Sequence, residues 1–386
     1  MSVRTLSPEE ARRFLVSHHQ LARTLEGPPE IAVRALLEER RAIQLDPLDL
    51  IGTNADLVAM ARIDGLQRGD VYRHLMPGHA FEHFAKERCL LPASAFPWYR
   101  THTTQTDWWS LETRLERLPE GAVETVLELV KAHGPISAAG LDELGGFERV
   151  KPMDWSGWRG TSRASAMALE VLWTRCEVVV AGRERRGKLW DVPERALPRH
   201  HKKLGGKKRE REAFEAWAIG ERAHAAGLLS RAAGPHWSVL RAARTGEMPG
   251  RLIADGVIEE VAIAGAKRTY LAPAGALDRE PDEPDERMRI LGPLDSLMWD
   301  RTLVEHAFGF EYIWEVYKPA AQRRWGYYVC PLLHRGQLVG RFEGRVVDGR
   351  LEGLGLWKEK GRRFEQRAWK TALERHEAAI VVPSTR

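Results

Sequence analysis

The sequence predicts an α+β protein, and two patterns along the chain support this prediction. Through the N-terminal and central parts, apolar residues recur at intervals of three and four, which is typical of amphipathic helices. In the C-terminal part apolar and polar residues alternate, first over 312–320 and then over 323–357, with turn residues at 334–336 and 348–349. Helical units followed by antiparallel strands and a final helix over 365–381 are therefore expected.

The first helix is predicted from the residues at its start. Ser7 precedes Pro8, and Glu10 lies three residues after Ser7, which is the pattern of a capping box. After Gly27-Pro28-Pro29 a second amphipathic helix is expected over 29–41.

The period of the sequence changes directly after this second helix. Ile43 and Leu45 alternate with Gln44 and Asp46, and the proline at 47 biases the preceding residue toward an extended backbone. Because residues two apart share a face of an extended segment, Gln44 and Asp46 are expected to point the same way. Position alone leaves a simpler interpretation open, in which Asp-Pro only forms a turn that leaves the helix.

The central part predicts a winged helix-turn-helix unit. Helices are expected up to Gly134-Pro135, after a Ser137 cap, and over 161–176, followed by a β-hairpin over 177–192 with a charged tip. Helices followed by two strands recur up to residue 273, so a tandem of such units is expected.

Composition shifts along the chain predict four parts. They are residues 1–117, a helical or winged-helix domain with the Gln-x-Asp segment; 118–205 and 206–280, two winged helices; and 281–386, a β-rich domain. A proline- and acid-rich joint precedes the last part, and 386 residues suit two to four domains.

Composition excludes several classes of protein. The chain is 43% hydrophobic and 29% charged, with no apolar run near the roughly 20 residues of a membrane span and no signal-peptide core, so a cytoplasmic protein is expected. The three cysteines (Cys89, Cys176 and Cys330) are far apart, which argues against both a disulfide framework and a zinc site.

Positive charge is concentrated in one stretch. Residues 183–211 hold 12 Lys or Arg against 4 Asp or Glu, although the net charge of the whole chain is only +5. Such clustering is typical of a surface that binds a polyanion. A solvated basic linker is the alternative.

Two catalytic motifs are incomplete. Residues 182–188 match GxxxxGK, but Leu189 occupies the position of the Ser or Thr that a phosphate-binding loop requires, so this segment is interpreted as the hairpin tip. His79 and His83 would share a helix face, but Ala80 occupies the glutamate position of a zinc hydrolase. No metal or cofactor is therefore expected. The tryptophans, including the pairs 108–109 and 155 with 158, are interpreted mainly as core residues.

Several sequence blocks in the same order resemble one family. They are IQLDPLDLIGTNADLVAMARI, FEHFAKERCLLPASAFPWYR, LEVLWTRCEVVVAGRERRGKLWDVPERALP and the long C-terminal run from LGPLDSLMWD to GRFEGR. Together they resemble the winged-helix DNA glycosylases of the AlkZ and YcaQ (AlkX) family. The resemblance implies tandem winged helices and a β-rich domain around a concave DNA channel. It also implies excision of bulky N7-alkylpurines and unhooking of interstrand crosslinks.

The family's active-site motif, Gln, an apolar residue, then Gln or Asp, falls on Gln44, Leu45 and Asp46. An N7-alkylated purine already carries positive charge, so its departure needs no proton donor. A carboxylate can stabilise the developing positive charge on the sugar and activate water, as in glycosidases. Asp46 is therefore expected as general base and stabiliser, and Gln44 as the residue that positions water, in a monofunctional glycosylase that leaves an abasic site.

The resemblance also suggests DNA contacts and a partner. The candidates are Arg62, Lys86, Arg163, Arg183, Arg185, Arg186, Lys188, Lys202 and Lys203. Lys86 stands where the family usually has a histidine, and a phosphate contact is expected for it. The expected partner is duplex DNA with alkyl adducts or crosslinks, bound by a monomer in a bacterial cytoplasm at the nucleoid. A winged-helix transcription regulator without catalysis is the alternative function.

Overall fold

The computed structural model of the chain describes residues 3–103, 111–151, 162–184 and 187–381. Helices and antiparallel sheets both occur, so the predicted α+β class is confirmed. Within these residues the α-helices are α1 Pro8–His18, α2 Pro29–Arg40, α3 Asn54–Met60, α4 Asp70–Leu75, α5 Phe96–His102, α6 Leu111–Arg117, α7 Ala122–His133, α8 Ala138–Gly145, α9 Ala164–Thr174, α10 Pro193–Ala196, α11 Arg211–Ala226, α12 Arg241–Thr245, α13 Met248–Ala254, α14 Arg301–Phe308 and α15 Gln366–Ile380.

The strands of the described residues form several small sheets. They are β1 Arg4–Leu6, β2 Ile43–Gln44, β3 Ala80–Ala85, β4 Glu87–Pro92, β5 Ile136–Ser137, β6 Arg149–Val150, β7 Ser162–Arg163, β8 Val179–Glu184, β9 Gly187–Asp191, β10 Leu229–Ser230, β11 Ile258–Ile263, β12 Thr269–Pro273, β13 Arg289–Ile290, β14 Val329–His334, β15 Gln337–Val347 and β16 Arg350–Lys358.

The chain divides into two compact units. The first unit comprises residues 1–71, 86–88 and 215–386, and the second comprises 72–85 and 89–214. Residues 86–88 thus belong to the first unit although their neighbours in sequence belong to the second. The division into four domains remains a prediction, because each of the two units contains segments that are not consecutive in the sequence.

Two four-stranded sheets organise the first unit. One has the order β1-β11-β12-β10, in which β1 runs parallel to β11 with Arg4 opposite Val261. The other has the order β13-β14-β15-β16 and is antiparallel throughout. Both sheets contribute to one core cluster, which includes Val261, Leu333 and Leu338 together with apolar residues of α1 and α14.

The predicted C-terminal hairpins are confirmed, but one predicted strand is absent. Residues 312–320 alternate like a strand and instead form a loop. The carboxylate of Glu315 is fully buried there and accepts hydrogen bonds from the backbone N–H groups of Arg324 and Trp325 at 3.0 and 2.8 Å. The loop closes on its own acidic residue, which satisfies the backbone donors that a sheet would otherwise pair.

The second unit contains the element order predicted for the central part. Helices α7, α8 and α9 precede the hairpin of β8 and β9, and β5 pairs with β9. Ser137 caps α8 by accepting from Gly140 N–H at 3.2 Å, as expected from the sequence. Five apolar residues of α9 (Ala164, Met167, Ala168, Val171 and Leu172) are all buried. Residues 185 and 186, predicted to form the hairpin tip, lie outside the described residues, as do Trp108, Trp109, Trp155 and Trp158.

The prediction that His79 and His83 share a helix is wrong. His83 lies on β3, and His79 lies in the turn before it. All six residues of β3 are buried, so the strand lacks the alternation by which a half-exposed strand is recognised. The imidazole of His83 stacks on Trp173 with a ring separation of 4.8 Å, and this makes it a packed core residue.

The three cysteines are buried. In the described parts of the chain no helix is long and apolar enough to cross a membrane.

Candidate active site

The backbone of Gln44 is held on two sides. Helix α2 ends at Arg40, and Arg41 adopts a positive φ of 59° that turns the chain into β2. The side-chain amide of Asn54 donates to the Gln44 carbonyl at 2.8 Å. The next residue, Leu45, donates its N–H to the carbonyl of Arg88 at 2.8 Å. The extended geometry predicted for this segment is therefore built from contacts within the first unit.

The side chain of Gln44 meets Lys86. Lys86 Nζ donates to Gln44 Oε1 at 2.7 Å, and the two residues are only 5% and 7% exposed. The ammonium also lies 5.4 Å from the ring centre of Trp299, close enough for a cation–π interaction. Lys86 is thus a buried residue of the site, which corrects the expectation of a phosphate contact, because an enclosed ammonium cannot reach the DNA backbone.

Asp46 combines a turn with an accessible carboxylate. Leu48 N–H donates to Oδ1 at 2.8 Å, so the local turn suggested by Asp-Pro is present. Partial burial raises the pKa of the Asp46 carboxyl, and the hydrogen bond from Leu48 opposes this shift. No described residue donates a hydrogen bond to Oδ2. A carboxylate in this state can accept a proton from water.

Tyr328 is a buried residue whose hydroxyl is influenced by the charge of Asp46. Its hydroxyl is fully enclosed and has no hydrogen-bond partner among the described residues. Burial raises the pKa of this hydroxyl, with smaller contributions from Cys330 and from the charge of Asp46, so Tyr328 stays protonated. Val346 N–H donates to Leu50 C=O at 2.9 Å and joins β15 to the loop that follows Asp46. Sequence reasoning missed Tyr328, because a tyrosine before an apolar strand has the pattern of a core residue.

Arg62 has a structural role, and its predicted DNA contact is wrong. It is fully buried and forms a bidentate ion pair with Asp295, with N–O distances of 2.7 and 3.0 Å. Its Nε also donates to the backbone carbonyl of His19 at 2.7 Å. Each hydrogen bond of this fully buried guanidinium has its partner within the first unit, and the burial prevents contact with a phosphate.

Two cations of the β8–β9 hairpin share one carboxylate. Arg183 and Lys188 each lie 2.6 Å from Glu82, whose side chain is fully buried. The guanidinium of Arg183 also covers the ring of Tyr72, 4.3 Å from its centre. Glu82 therefore neutralises part of the positive charge of this hairpin.

The other predicted DNA contacts differ in their exposure and in the partners that they have within the protein. Arg163 donates to the Phe147 carbonyl at 2.8 Å and lies 3.5 Å from Asp142. Lys202 and Lys203 are exposed. Arg185 and Arg186 fall outside the part of the chain that the structure describes. Apart from Arg62 and Lys86, the predicted DNA contacts therefore remain predictions.

One group of possible metal ligands occurs among the described residues. Glu286, His334 and Glu365 place one ligand atom each within 4.8 Å of one another. Arg335 already pairs with both carboxylates, and His334 Nε2 contacts the Glu286 carbonyl at 3.2 Å. The donors are therefore engaged in an ion-pair cluster, which is distant in sequence from Gln44 and Asp46.

The fold is similar to that of a solved structure, and a family model matches most of the chain. A solved structure, the Streptomyces sahachiroi DNA glycosylase AlkZ, superimposes with a TM-score of 0.64 at 15% identity and covers 98% of this chain and 99% of its own. At that identity the likeness shows the fold. The family model described as DNA glycosylase AlkZ-like matches residues 37–379, so the chain belongs to the AlkZ-like DNA glycosylase family. It is an enzyme, which decides against the regulator without catalysis.

Proposed function

We propose that this DNA glycosylase is a monofunctional repair enzyme that hydrolyses the N-glycosidic bond of bulky N7-alkylated purines and unhooks interstrand crosslinks. The observation that carries this proposal is Asp46, a half-buried carboxylate with a raised pKa and one oxygen without a described partner. Family membership supports DNA as the substrate.

The chemistry suits a leaving group that is already activated. An N7-alkylpurine is cationic, so the enzyme needs to stabilise positive charge on the sugar and to supply a nucleophile. Asp46 does both, as electrostatic stabiliser and as general base for water. Gln44, one residue before the apolar Leu45, holds that water. The product is an abasic site, because water and not an enzyme group attacks the sugar.

Binding to DNA is proposed to use tandem winged helices. The helices α7 to α9 followed by β8 and β9 support this assignment, as do α11 to α13 followed by β11 and β12. The exposed Lys202 and Lys203, with Arg163, Arg183, Lys188 and the hairpin-tip residues Arg185 and Arg186, supply phosphate contacts. Such contacts carry no sequence information, which suits an enzyme that finds damage in any context. The enzyme is proposed to act as a monomer in a bacterial cytoplasm.

The test is base release from defined duplexes. Wild-type protein is incubated with DNA that carries one N7-alkylguanine or one nitrogen-mustard crosslink, and abasic sites are converted to breaks with alkali. We expect release from both substrates, no release from undamaged DNA, and no strand cleavage without alkali.

Asp46→Asn removes the proposed general base and keeps the shape of the side chain. The expected loss is about 10²-fold or more in the single-turnover rate, the usual contribution of a general base. Asp49→Asn is the matched control, since Asp49 lies in the same loop and its carboxylate pairs with Arg68 at 2.5 Å. Unchanged release by Asp46→Asn would remove the catalytic assignment, and no release by wild-type protein would remove the substrate assignment.

A further inference from the structure

We infer that Lys86 is a positioning residue that fixes the amide of Gln44, so that Gln44 acts on the attacking water only as a hydrogen-bond donor. The inference rests on the proposed function and deepens it by giving Gln44 one definite role.

The chemistry of the contact determines which way the amide points. A glutamine side chain ends in one acceptor oxygen and one NH₂ donor, and an ammonium has only donors. Nζ of Lys86 at 2.7 Å therefore faces Oε1, because a contact with Nε2 would bring two donors together. Oε1 is occupied by Lys86, and the NH₂ group is directed away from it.

Neither end of the pair is free to turn. The Gln44 backbone is fixed by Asn54 and by the neighbouring Leu45–Arg88 hydrogen bond. Lys86 directly precedes β4, and its ammonium is held against the ring of Trp299, which is itself 7% exposed. Both Gln44 and Lys86 are buried, so the contact is enclosed and is not exchanged readily for water. A preorganised donor of this kind needs no reorientation during the reaction.

The NH₂ group remains available for the substrate side. No described residue accepts a hydrogen bond from Gln44 Nε2. This nitrogen is also not fully enclosed, so a water molecule can reach it. A water that accepts from Nε2 keeps both its protons for donation, and the Asp46 carboxylate can accept one of them. The cation on Oε1 also polarises the amide, and hydrogen bonds assisted by charge are the stronger ones.

The first experiment separates catalysis from binding. Single-turnover excision rates and dissociation constants on N7-alkylguanine duplex are measured for wild type, Lys86→Met and Lys86→Arg. For Lys86→Met we expect a rate about tenfold or more lower with a dissociation constant within about twofold of wild type, as for a group that acts in the transition state. Lys86→Arg keeps donors and charge, so it should recover part of the rate.

Lys203→Met is the matched comparison for a lysine that contacts phosphate. It should weaken binding and flatten the salt dependence, so its effect should appear in the dissociation constant. If Lys86→Met behaves like Lys203→Met, Lys86 contacts DNA and the inference is overturned. Trapping of the enzyme on abasic DNA by borohydride, lost in Lys86→Met, would also overturn it, because Lys86 would then be a nucleophile.

The donor role of Gln44 is tested without changing Lys86. Gln44→Glu keeps an oxygen for Lys86, and the resulting ion pair favours a folded site, but the NH₂ donor is gone. We expect its rate to fall as far as that of Gln44→Leu. Full activity of Gln44→Glu would show that the donor is not needed. If Lys86 acts through Gln44, the double variant Lys86→Met/Gln44→Leu should be no slower than Gln44→Leu alone, and multiplying effects would contradict this.

The contact itself is tested by a readout independent of activity. In a double-variant cycle on unfolding midpoints, Lys86→Met and Gln44→Leu together should lower the midpoint by less than the sum of the single changes. Additive shifts would mean that the residues do not interact. If wild type excises the base and Asp46→Asn does not, the proposed function stands whatever these Lys86 results are, so the two failures are distinguishable.

Discussion

Asp46 shows how one residue can serve the backbone and the reaction together. Its Oδ1 accepts the hydrogen bond of a local turn, which fixes the carboxyl group with respect to Pro47 and Leu48. Its other oxygen has no described partner. The turn and the catalytic role were alternatives for the sequence pattern, and in the structure the turn orients the carboxylate for the role we propose.

The raised pKa of Asp46 predicts the acid limb of the pH profile. Only the ionised form can accept a proton, so the single-turnover rate should fall as the pH decreases through the pKa of Asp46. Because burial raises this pKa above its ordinary value of 3.8, the midpoint should lie above pH 3.8. Rates are measured at saturating enzyme, with dissociation constants of Asp46→Asn at each pH as the control for binding. A rate that does not fall as the pH is lowered toward 3.8 would contradict the assignment of Asp46 as general base.

The buried pair of Arg62 and Asp295 predicts a large effect on stability. Arg62→Met leaves a carboxylate without its partner in a fully buried position, so unfolding should become easier by about 3–5 kcal/mol. Denaturant unfolding measures this change. The double variant Arg62→Met/Asp295→Leu removes both charges and should recover much of the loss. Weaker DNA binding by a stably folded Arg62→Met would restore the original prediction for this residue.

At the residue scale, resemblance located Gln44 and Asp46, but local patterns gave no indication of their surroundings. The partner of Gln44 is 42 positions away, and that of Arg62 is 233 positions away. Whether an arginine or lysine meets a phosphate or a buried carboxylate depends on such distant partners. A single sequence contains the charges but not the burial that decides between these roles.

Elements with strong end signals were predicted well. The capping box of Ser7 and Glu10 is present, with both reciprocal hydrogen bonds, and α2 and α15 end within one residue of their predicted limits. The two failures have a common cause. The 312–320 loop and the β3 strand depend on tertiary burial, of Glu315 in one case and of both strand faces in the other. Burial of that kind overrides periodicity.

The basic segment of the second unit predicts how binding responds to salt. Lys202 and Lys203 are exposed, and each phosphate contact releases counterions. The double variant Lys202→Ala/Lys203→Ala should reduce the slope of log K against log salt by up to about 2, equally for unrelated sequences. Fluorescence anisotropy over a salt series measures it. Lys370→Ala on α15, where Lys370 lies near Glu374, is the control. Loss of binding to one sequence alone would indicate base reading by these lysines.

Segments of the two units alternate along the chain, and no boundary in the sequence indicates this alternation. Residues 86–88 bring Lys86 to Gln44 in the first unit, between stretches of the second. The last helix returns to the start of the chain, where His376 Nε2 donates to the Ile51 carbonyl, 325 positions away. Composition shifts indicate where the character of the chain changes, and they do not indicate which distant segments pack together.

His376 predicts how stability depends on pH. Burial lowers its pKa from 6.5 to about 4, so the folded state resists protonation. Stability from this group is present above pH 6.5 and is lost as the pH falls toward 4, at a cost of about 3 kcal/mol. In His376→Asn the amide can donate to Ile51 but does not titrate, so unfolding should depend less on pH between 6.5 and 4. The buried His19 and the half-buried His18, whose pKa values are also lowered, should leave a residual dependence. An unchanged pH dependence in the variant would exclude this role of His376.

The parallel pairing of β1 with β11 also has a consequence for biosynthesis. Arg4 binds Asp278 at 2.8 Å, 274 positions further along the chain, and β1 can enter its sheet only beside β11. During translation β1 must therefore wait until β11 has left the ribosome. High contact order of this kind slows folding and prolongs exposure of apolar segments such as those of α1. Chaperone capture during synthesis should accordingly be concentrated on the segment that contains β1 and α1.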